Sequence, residues 1–366
     1  MHGPTAPALA LRALRRYPER IAFAEDGRLL SYAGTLALIG RIQAVLAAGG
    51  IQAPRVALLS ANRAEAWAAE IAVQALGGST TWLHPLAALP EQQFQIEDAQ
   101  AQLLVVDAET YAERGGALAA GCPQLQAVWT LGPASYGQDL LAAMAATGEH
   151  SPRDVSQAQT VASPGYTGGT TGRSKAALRH QHQQAAITRA ILADFELPAT
   201  PRYLAAAPIS HVAGTKVLPT LLRGGTVHLQ RGFDPDRLLA TLQAERINMT
   251  LLVPTMVYKL LDHPGRDRFD TSALELLLYG ASPMSPTRLL EGMERIGPVF
   301  SQLYGQTECY PISLLRKADH DPRRPERFAS CGMPLAGCDV RLLGDDGEEV
   351  APGEPGEICV RADSAM

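Results

Sequence analysis

The sequence predicts an α/β protein, with two doubly wound βα subdomains in succession and a short β-rich unit after them. Three observations carry this. Short apolar runs alternate with longer helical patterns from residue 20 to about 110, and again from about 200 to 305. The runs are continuous rather than alternating, as in Leu103-Leu104-Val105-Val106, which is the pattern of strands buried on both faces of a parallel sheet. From Ser330 onward the punctuation changes: Gly332, Pro334, Gly337, Gly344, Gly347, Pro352, Gly353 and Gly356 break up two short apolar strands, a meander composition. The expected boundaries are 1–165, 166–329 and 330–366.

Taken in order, Ala8–Tyr17 reads as an amphipathic helix closed by Pro18. Ile21–Phe23 and Arg28–Leu30 flank Glu-Asp-Gly, a hairpin signal. Ser31 is placed to cap a helix that runs to Ala48 and stops at Gly49-Gly50. Strands follow at 55–60, 80–83 and 103–106, with helices at 64–76 and 91–98 between them. The segment 132–159 is poor in apolar runs and is expected to be loosely structured. A strand ending near Tyr166 leads into a glycine–threonine loop, and 183–194 reads as a helix. Strands are then expected at 203–207, 225–229, 249–253, 274–279 and 299–303. Helices are expected at 235–245 and from Pro254, a residue tolerated at a first helical position. The β unit supplies strands at 339–343 and 357–360.

Composition narrows the function classes. The 366 residues are 46% hydrophobic and 19% charged, suited to a chain with more than one core. A net charge of -5 gives no broad attraction to nucleic acid. The cysteines at 122, 309, 331, 338 and 359 are odd in number and form no CxxC pair, so neither a disulfide framework nor a zinc site is indicated. Reduced cytoplasmic thiols are the expectation. The start shows no basic segment followed by an apolar core, so no signal peptide is expected. No uncharged apolar run approaches the roughly 18 residues of a membrane span.

The stretch Tyr166-Thr167-Gly168-Gly169-Thr170-Thr171-Gly172-Arg173-Ser174-Lys175 organises the chain. Residues 167 to 172 are three glycines and three threonines, with no other residue type among them. Glycine permits positive φ and close approach of a ligand, and successive amides in such a loop can form an anion-binding nest. The hydroxyls and Lys175 add donors and charge. The spacing fits neither GxxxxGK[ST] nor GxGxxG. Taken alone, the loop reads as a polyphosphate cradle ahead of the alternative, a flexible surface turn.

The same stretch resembles the signature loop of the adenylate-forming superfamily: acyl- and aryl-CoA synthetases, peptide-synthetase adenylation domains and luciferases. The usual pattern is Tyr-Thr-Ser-Gly-Thr-Thr-Gly-x-Pro-Lys-Gly. This chain departs from it with Gly168 for serine, Ser174 for proline and Ala176 for glycine. Further segments match in family order. Pro208-Ile209-Ser210-His211-Val212-Ala213-Gly214 resembles Pro-x-x-His-x-x-Gly. Tyr279-Gly280-Ala281-Ser282 resembles the segment that packs on adenine, and Tyr304-Gly305-Gln306-Thr307-Glu308 resembles Tyr-Gly-x-Thr-Glu. Cys331–Pro334 and Gly353–Ile358 resemble the barrel segments that follow.

The resemblance implies ATP, Mg²⁺ and CoA as cofactors and a carboxylic acid as substrate. It implies that Thr167, Gly168, Gly169, Thr170, Thr171, Gly172 and Lys175 hold phosphates, and that Gly280, Ala281, Ser282, Tyr304, Gly305 and Gln306 meet the nucleotide. Thr307 would donate to the α-phosphate, Glu308 would hold the metal, and His211 would sit near the substrate carboxylate. Thr171, Lys175, His211 and Glu308 are the catalytic candidates, with His211 given no acid–base role. Val212, Ala213, Gly214, Thr255, Met256 and Leu303 would line the acyl pocket, which Leu303 would shorten because many relatives have glycine there. No carboxylate occurs between Glu196 and Asp234 to pair an α-amine, so a medium-chain or aryl acid is expected rather than an amino acid. Two alternatives stay open: an acyl-AMP ligase serving a carrier protein, and a non-catalytic nucleotide- or acyl-binding module. The resemblance also implies a partial β-barrel-like third subdomain and a smaller C-terminal lid domain bearing a further lysine. That lid is absent before Met366, so little full-reaction turnover is expected of these residues alone. His180 and His182 lie two apart without a third ligand and are expected to be polar surface. Cys309 is expected to be structural.

Overall fold

A computed structural model describes residues 3–167 and 174–366. The chain separates into two compact units. The first comprises residues up to Ala185 together with Ala199–Asp234, and the second comprises Ala186–Pro198 and Pro235–Met366. Among the described residues no helix is long and apolar enough to cross a membrane.

The first unit holds a five-stranded parallel sheet in the order Ser79–Trp82, Arg55–Leu59, Leu103–Val106, Ala127–Thr130, Gln138–Asp139. Its central strand is buried along its whole length, as the unbroken apolar run predicts. Ala57, Leu59, Leu104 and Val106 pack with Ile96 and Leu118 from the flanking helices Leu89–Asp98 and Ala108–Gly121. A second set of strands runs Arg202–Ala205, Thr226–Leu229, Ile21–Glu25, Arg28–Ser31; the first three are parallel and the last closes a hairpin. That hairpin turns through Asp26 and Gly27 at φ 49 and 80, the left-handed pair a tight two-residue turn needs. Ser31 then caps the helix Tyr32–Ala48 by accepting from the Gly34 amide at 2.9 Å.

The strand Val161–Thr167 ends near Tyr166, as expected. It pairs antiparallel with Lys175–His180, a strand the sequence reading did not include, and the helix Gln181–Asp194 follows that second strand. One expectation needs correction here: the segment 132–159 is not uniformly loose. Asp139 caps a short helix, Leu140–Ala145, accepting from Leu141 and Ala142 amides.

The second unit is built on three adjacent parallel strands, Met249–Leu252, Leu276–Gly280 and Phe300–Tyr304, continued antiparallel by Ser313–Leu315 and Met333–Pro334. Helices Pro235–Ala244, Pro254–Leu261 and Pro286–Ile296 connect them. Beyond lies an antiparallel ribbon, Cys338–Leu343 with Glu357–Ala362. Among the described residues it is a two-stranded ribbon and not a closed barrel.

Candidate active site

In the first unit the hairpin neck is fixed on both sides. Thr167 lies opposite Lys175 in the ladder. Tyr166 donates its hydroxyl to Asp98 Oδ2 at 2.8 Å, and the Ser174 hydroxyl is bonded to Glu91. Both acceptors belong to the helix Leu89–Asp98. Ser174 therefore gains an anchor that proline, lacking a hydroxyl, could not make. Burial and Asp98 push the Tyr166 phenol pKa up, which keeps it a proton donor. Lys175 is exposed. Gly168, Gly169, Thr170, Thr171 and Gly172 lie outside the described residues.

His211 stands on the tight turn Pro208–Gly214 in the same unit. Its Nδ1 is 2.7 Å from the Ser210 hydroxyl, and its ring meets His84 edge-on with centroids 4.6 Å apart. His211 is exposed at the surface, yet partial desolvation of its ring, with a smaller contribution from His84, lowers its pKa to about 4, so the ring is neutral at physiological pH. Desolvation lowers His84 as well. The turn is close-packed: Gly214 donates to His211 O at 2.9 Å, and a Cβ at Gly214 would lie 1.8 Å from Ile209 O. Ala213 is fully buried, and its carbonyl accepts from the Tyr203 hydroxyl at 3.0 Å. Val212 is half-buried. Beside the turn, Lys216 is completely buried; its Nζ reaches Thr215 Oγ1 at 2.7 Å and Val212 O at 3.4 Å. Burial lowers its pKa well below that of an ordinary lysine.

In the second unit, the carboxyl ends of the three parallel strands bring their candidate residues to one edge of the sheet, the ligand-binding edge of open α/β folds. Thr255 and Met256 form the first turn of the helix after Met249–Leu252; Thr255 is exposed and Met256 half-buried. Gly280 ends the next strand and is followed by exposed Ala281 and Ser282. Ala281 has φ 68, a left-handed conformation unusual for a residue with a Cβ. Leu303 pairs with Gly280, and a Cβ at Gly280 would lie 2.4 Å from Leu303 O and 2.7 Å from Leu303 Cδ1. The Leu303 side chain thus occupies the space a larger residue at 280 would need. Tyr304 and Thr307 are half-buried, and Gln306 and Glu308 are exposed. Gly305 admits no side chain, since a Cβ would come 2.8 Å from the Tyr310 ring. The turn is held by Gln306 N to Cys309 O at 2.9 Å and Cys309 N to Gln306 O at 3.2 Å. The Glu308 carboxylate has no ion pair or hydrogen-bond partner among the described residues, although its backbone carbonyl accepts from Met366 N at 2.8 Å. Cys309 is buried, as expected of a structural residue.

A family model described as AMP-binding enzyme matches residues 11–366. The chain belongs to the AMP-binding enzyme family. It is 38% identical over 363 residues to the medium/long-chain-fatty-acid–CoA ligase FadD8 of Mycobacterium tuberculosis, covering 96% of this chain and 63% of that protein. It is 34% identical over 360 residues to a feruloyl-CoA synthase of Amycolatopsis, covering 97% and 70%. Among solved structures, the amide bond synthetase McbA of Marinactinospora thermotolerans superposes with TM-score 0.89 at 30% identity, covering 99% of this chain and 71% of that one.

Within this AMP-binding enzyme, three features lay beyond the sequence reading. His84 contacts His211 from a strand end 127 positions earlier in the chain, Lys216 is buried beside the turn, and Asn62 reaches into it. The signal available for His84 was its place, directly after the run Thr80–Leu83, at a carboxyl strand end. His180 and His182 are half-buried rather than surface residues: their rings stack at 5.8 Å, His182 Nδ1 is bonded to Ala158 O, and the His180 amide is bonded to Gln183. No cluster of metal-ligating side chains occurs among the described residues.

Proposed function

We propose that this chain binds ATP and a carboxylic acid and catalyses formation of an acyl-adenylate, which is then converted to a thioester with CoA. In the first step a carboxylate oxygen bonds to the α-phosphorus as the bond to pyrophosphate breaks. In the second the thiol sulfur bonds to the acyl carbon, AMP departs and the thiol proton is released. Both reactants of the first step are anions, so the site must neutralise charge and hold the groups in line. The carrying observation is Glu308: an exposed carboxylate without a partner among the described residues, at the carboxyl end of the strand Phe300–Tyr304 in the family's Tyr-Gly-x-Thr-Glu position.

A lone carboxylate fits Mg²⁺, which takes one or two carboxylates and completes its shell with water and phosphate oxygens. Bound there, the ion would offset phosphate charge. Thr307 would donate to the α-phosphate, and Tyr304 would lie against adenine. Thr167, Lys175 and the loop 168–172 would hold the β- and γ-phosphates. His211, neutral at physiological pH, would meet the substrate carboxylate as a hydrogen-bonding wall without adding charge. Val212, Ala213, Gly214, Thr255, Met256 and Leu303 would shape the acyl pocket. A fatty or aryl acid fits the absence of acidic residues between Glu196 and Asp234 and the activities for which the two CoA-ligase relatives are named.

ATP–pyrophosphate exchange in the full-length protein, screened over fatty, aryl and amino acids, tests this reading. Exchange with fatty or aryl acids is expected, and Thr171→Ala or Glu308→Gln should lower it by ~100- to 1000-fold. Wild-type exchange by both variants, or activity with amino acids alone, refutes the assignment. The amide bond synthetase similarity makes an amine acceptor the second reading, distinguished by supplying CoA, a phosphopantetheinyl carrier or an amine to the preformed adenylate.

A further inference from the structure

Asn62 is 4% exposed and lies between the strand Arg55–Leu59 and the helix Ala64–Ala75. Its carboxamide reaches across the first unit to residues more than 140 positions away. Nδ2 lies 3.0 Å from Ala205 O, 2.9 Å from Ala207 O and 2.9 Å from Gln230 O, so its two hydrogens are shared among three carbonyls, and Oδ1 accepts from Ile209 N at 2.8 Å. These backbone groups sit at or just past the carboxyl ends of the adjacent parallel strands Arg202–Ala205 and Thr226–Leu229. Pro208 has no N–H, so Ile209 supplies the first amide of the turn that can be anchored. Only a primary amide offers two donor hydrogens and an acceptor oxygen in one plane at this size.

At its far end the same turn is held by the buried Tyr203 hydroxyl on Ala213 O. Ser210 and His211 therefore project from a segment pinned at entry and exit. We infer that Asn62 is a positioning residue for the acid substrate: by fixing the Ile209 amide against three strand-end carbonyls it sets where His211 stands. This rests on the reading of Pro208–Gly214 as the acid-binding turn. A residue that merely tied strand ends together would affect stability without distinguishing the two substrates.

The test is exchange kinetics on full-length Asn62→Ala and Asn62→Asp, with KM for the acid and for ATP measured separately and melting temperature recorded. Asn62→Ala is expected to raise the acid KM about 100-fold, the scale of a ~1 Å displacement, while the ATP KM stays within about 2-fold. Asn62→Asp preserves the shape, so it carries the test where the alanine variant does not fold. Its carboxylate faces carbonyl oxygens, so its acid KM is expected to improve as pH falls and the group regains an O–H donor. A wild-type acid KM in the folded variants, a parallel rise of both KM values, or no pH dependence in Asn62→Asp overturns the inference. A wild-type enzyme without acid-dependent exchange overturns the functional reading instead.

Discussion

Gly214→Ala is a one-methyl perturbation whose consequence can be worked from the structure. The added Cβ would lie 1.8 Å from the Ile209 carbonyl oxygen and 2.9 Å from its carbon, against a contact limit of 3.0 Å. The chain must therefore open by at least 3.0 − 1.8 = 1.2 Å. The obstructing atom is backbone, so no side-chain rotation relieves it. Ile209 cannot retreat freely because its amide is bonded to Asn62, and Gly214 is bonded to His211 O. The displacement must enter the turn that carries His211. A shift of this size costs about 100-fold in rate at a positioned reactant and about 1–3 kcal/mol of stability. Exchange kinetics and thermal unfolding of Gly214→Ala measure both, with Gly232→Ala as control, since a Cβ there meets nothing within 4 Å. An acid kcat/KM within about 3-fold of wild type and an unchanged Tm would refute the reasoning.

Three further outcomes are expected. Arg63→Ala leaves fully buried Asp107 without its charged partner at 2.9 Å, with the Thr110 hydroxyl still bonded to it, and should destabilise the protein by about 3–5 kcal/mol in urea unfolding; a loss below about 1 kcal/mol would show that the pair is dispensable. Ala281→Gly should raise stability by about 1 kcal/mol by relieving the left-handed φ of 68, and a lower Tm would contradict that. Burial, with Arg202 adding to it, lowers the His228 pKa to about 4 from an ordinary 6.5. The folded state then binds fewer protons than the unfolded state between those values. Its contribution is complete above pH 6.5 and is lost as pH falls toward 4, by up to about 3 kcal/mol; His228→Gln should flatten that part of the stability–pH curve, and an unchanged slope would exclude the role.

Where structure follows from short-range chemistry, it was legible. Ser31 caps the predicted helix, Asp26-Gly27 turns the predicted hairpin, and Pro254 opens a helix at its first turn. The strand Lys175–His180 was not legible. Its sequence, Lys-Ala-Ala-Leu-Arg-His, has no β-branched residue, and it is a strand only because Val161–Thr167 supplies a ladder. Asp139 capping Leu140–Ala145 was hidden in a stretch of glycine, serine and proline.

The sequence by itself determined the family motifs, their order and the strand ends on which they fall, because each depends on neighbours a few positions apart. The tertiary structure alone decided what surrounds them: His84 against His211, Lys216 buried beside the turn, and Asn62 bonded to residues 143 to 168 positions away. Such contacts arise when separate strands are brought edge to edge. The energies that place them belong to hydrogen bonds and desolvation between groups that share no local pattern.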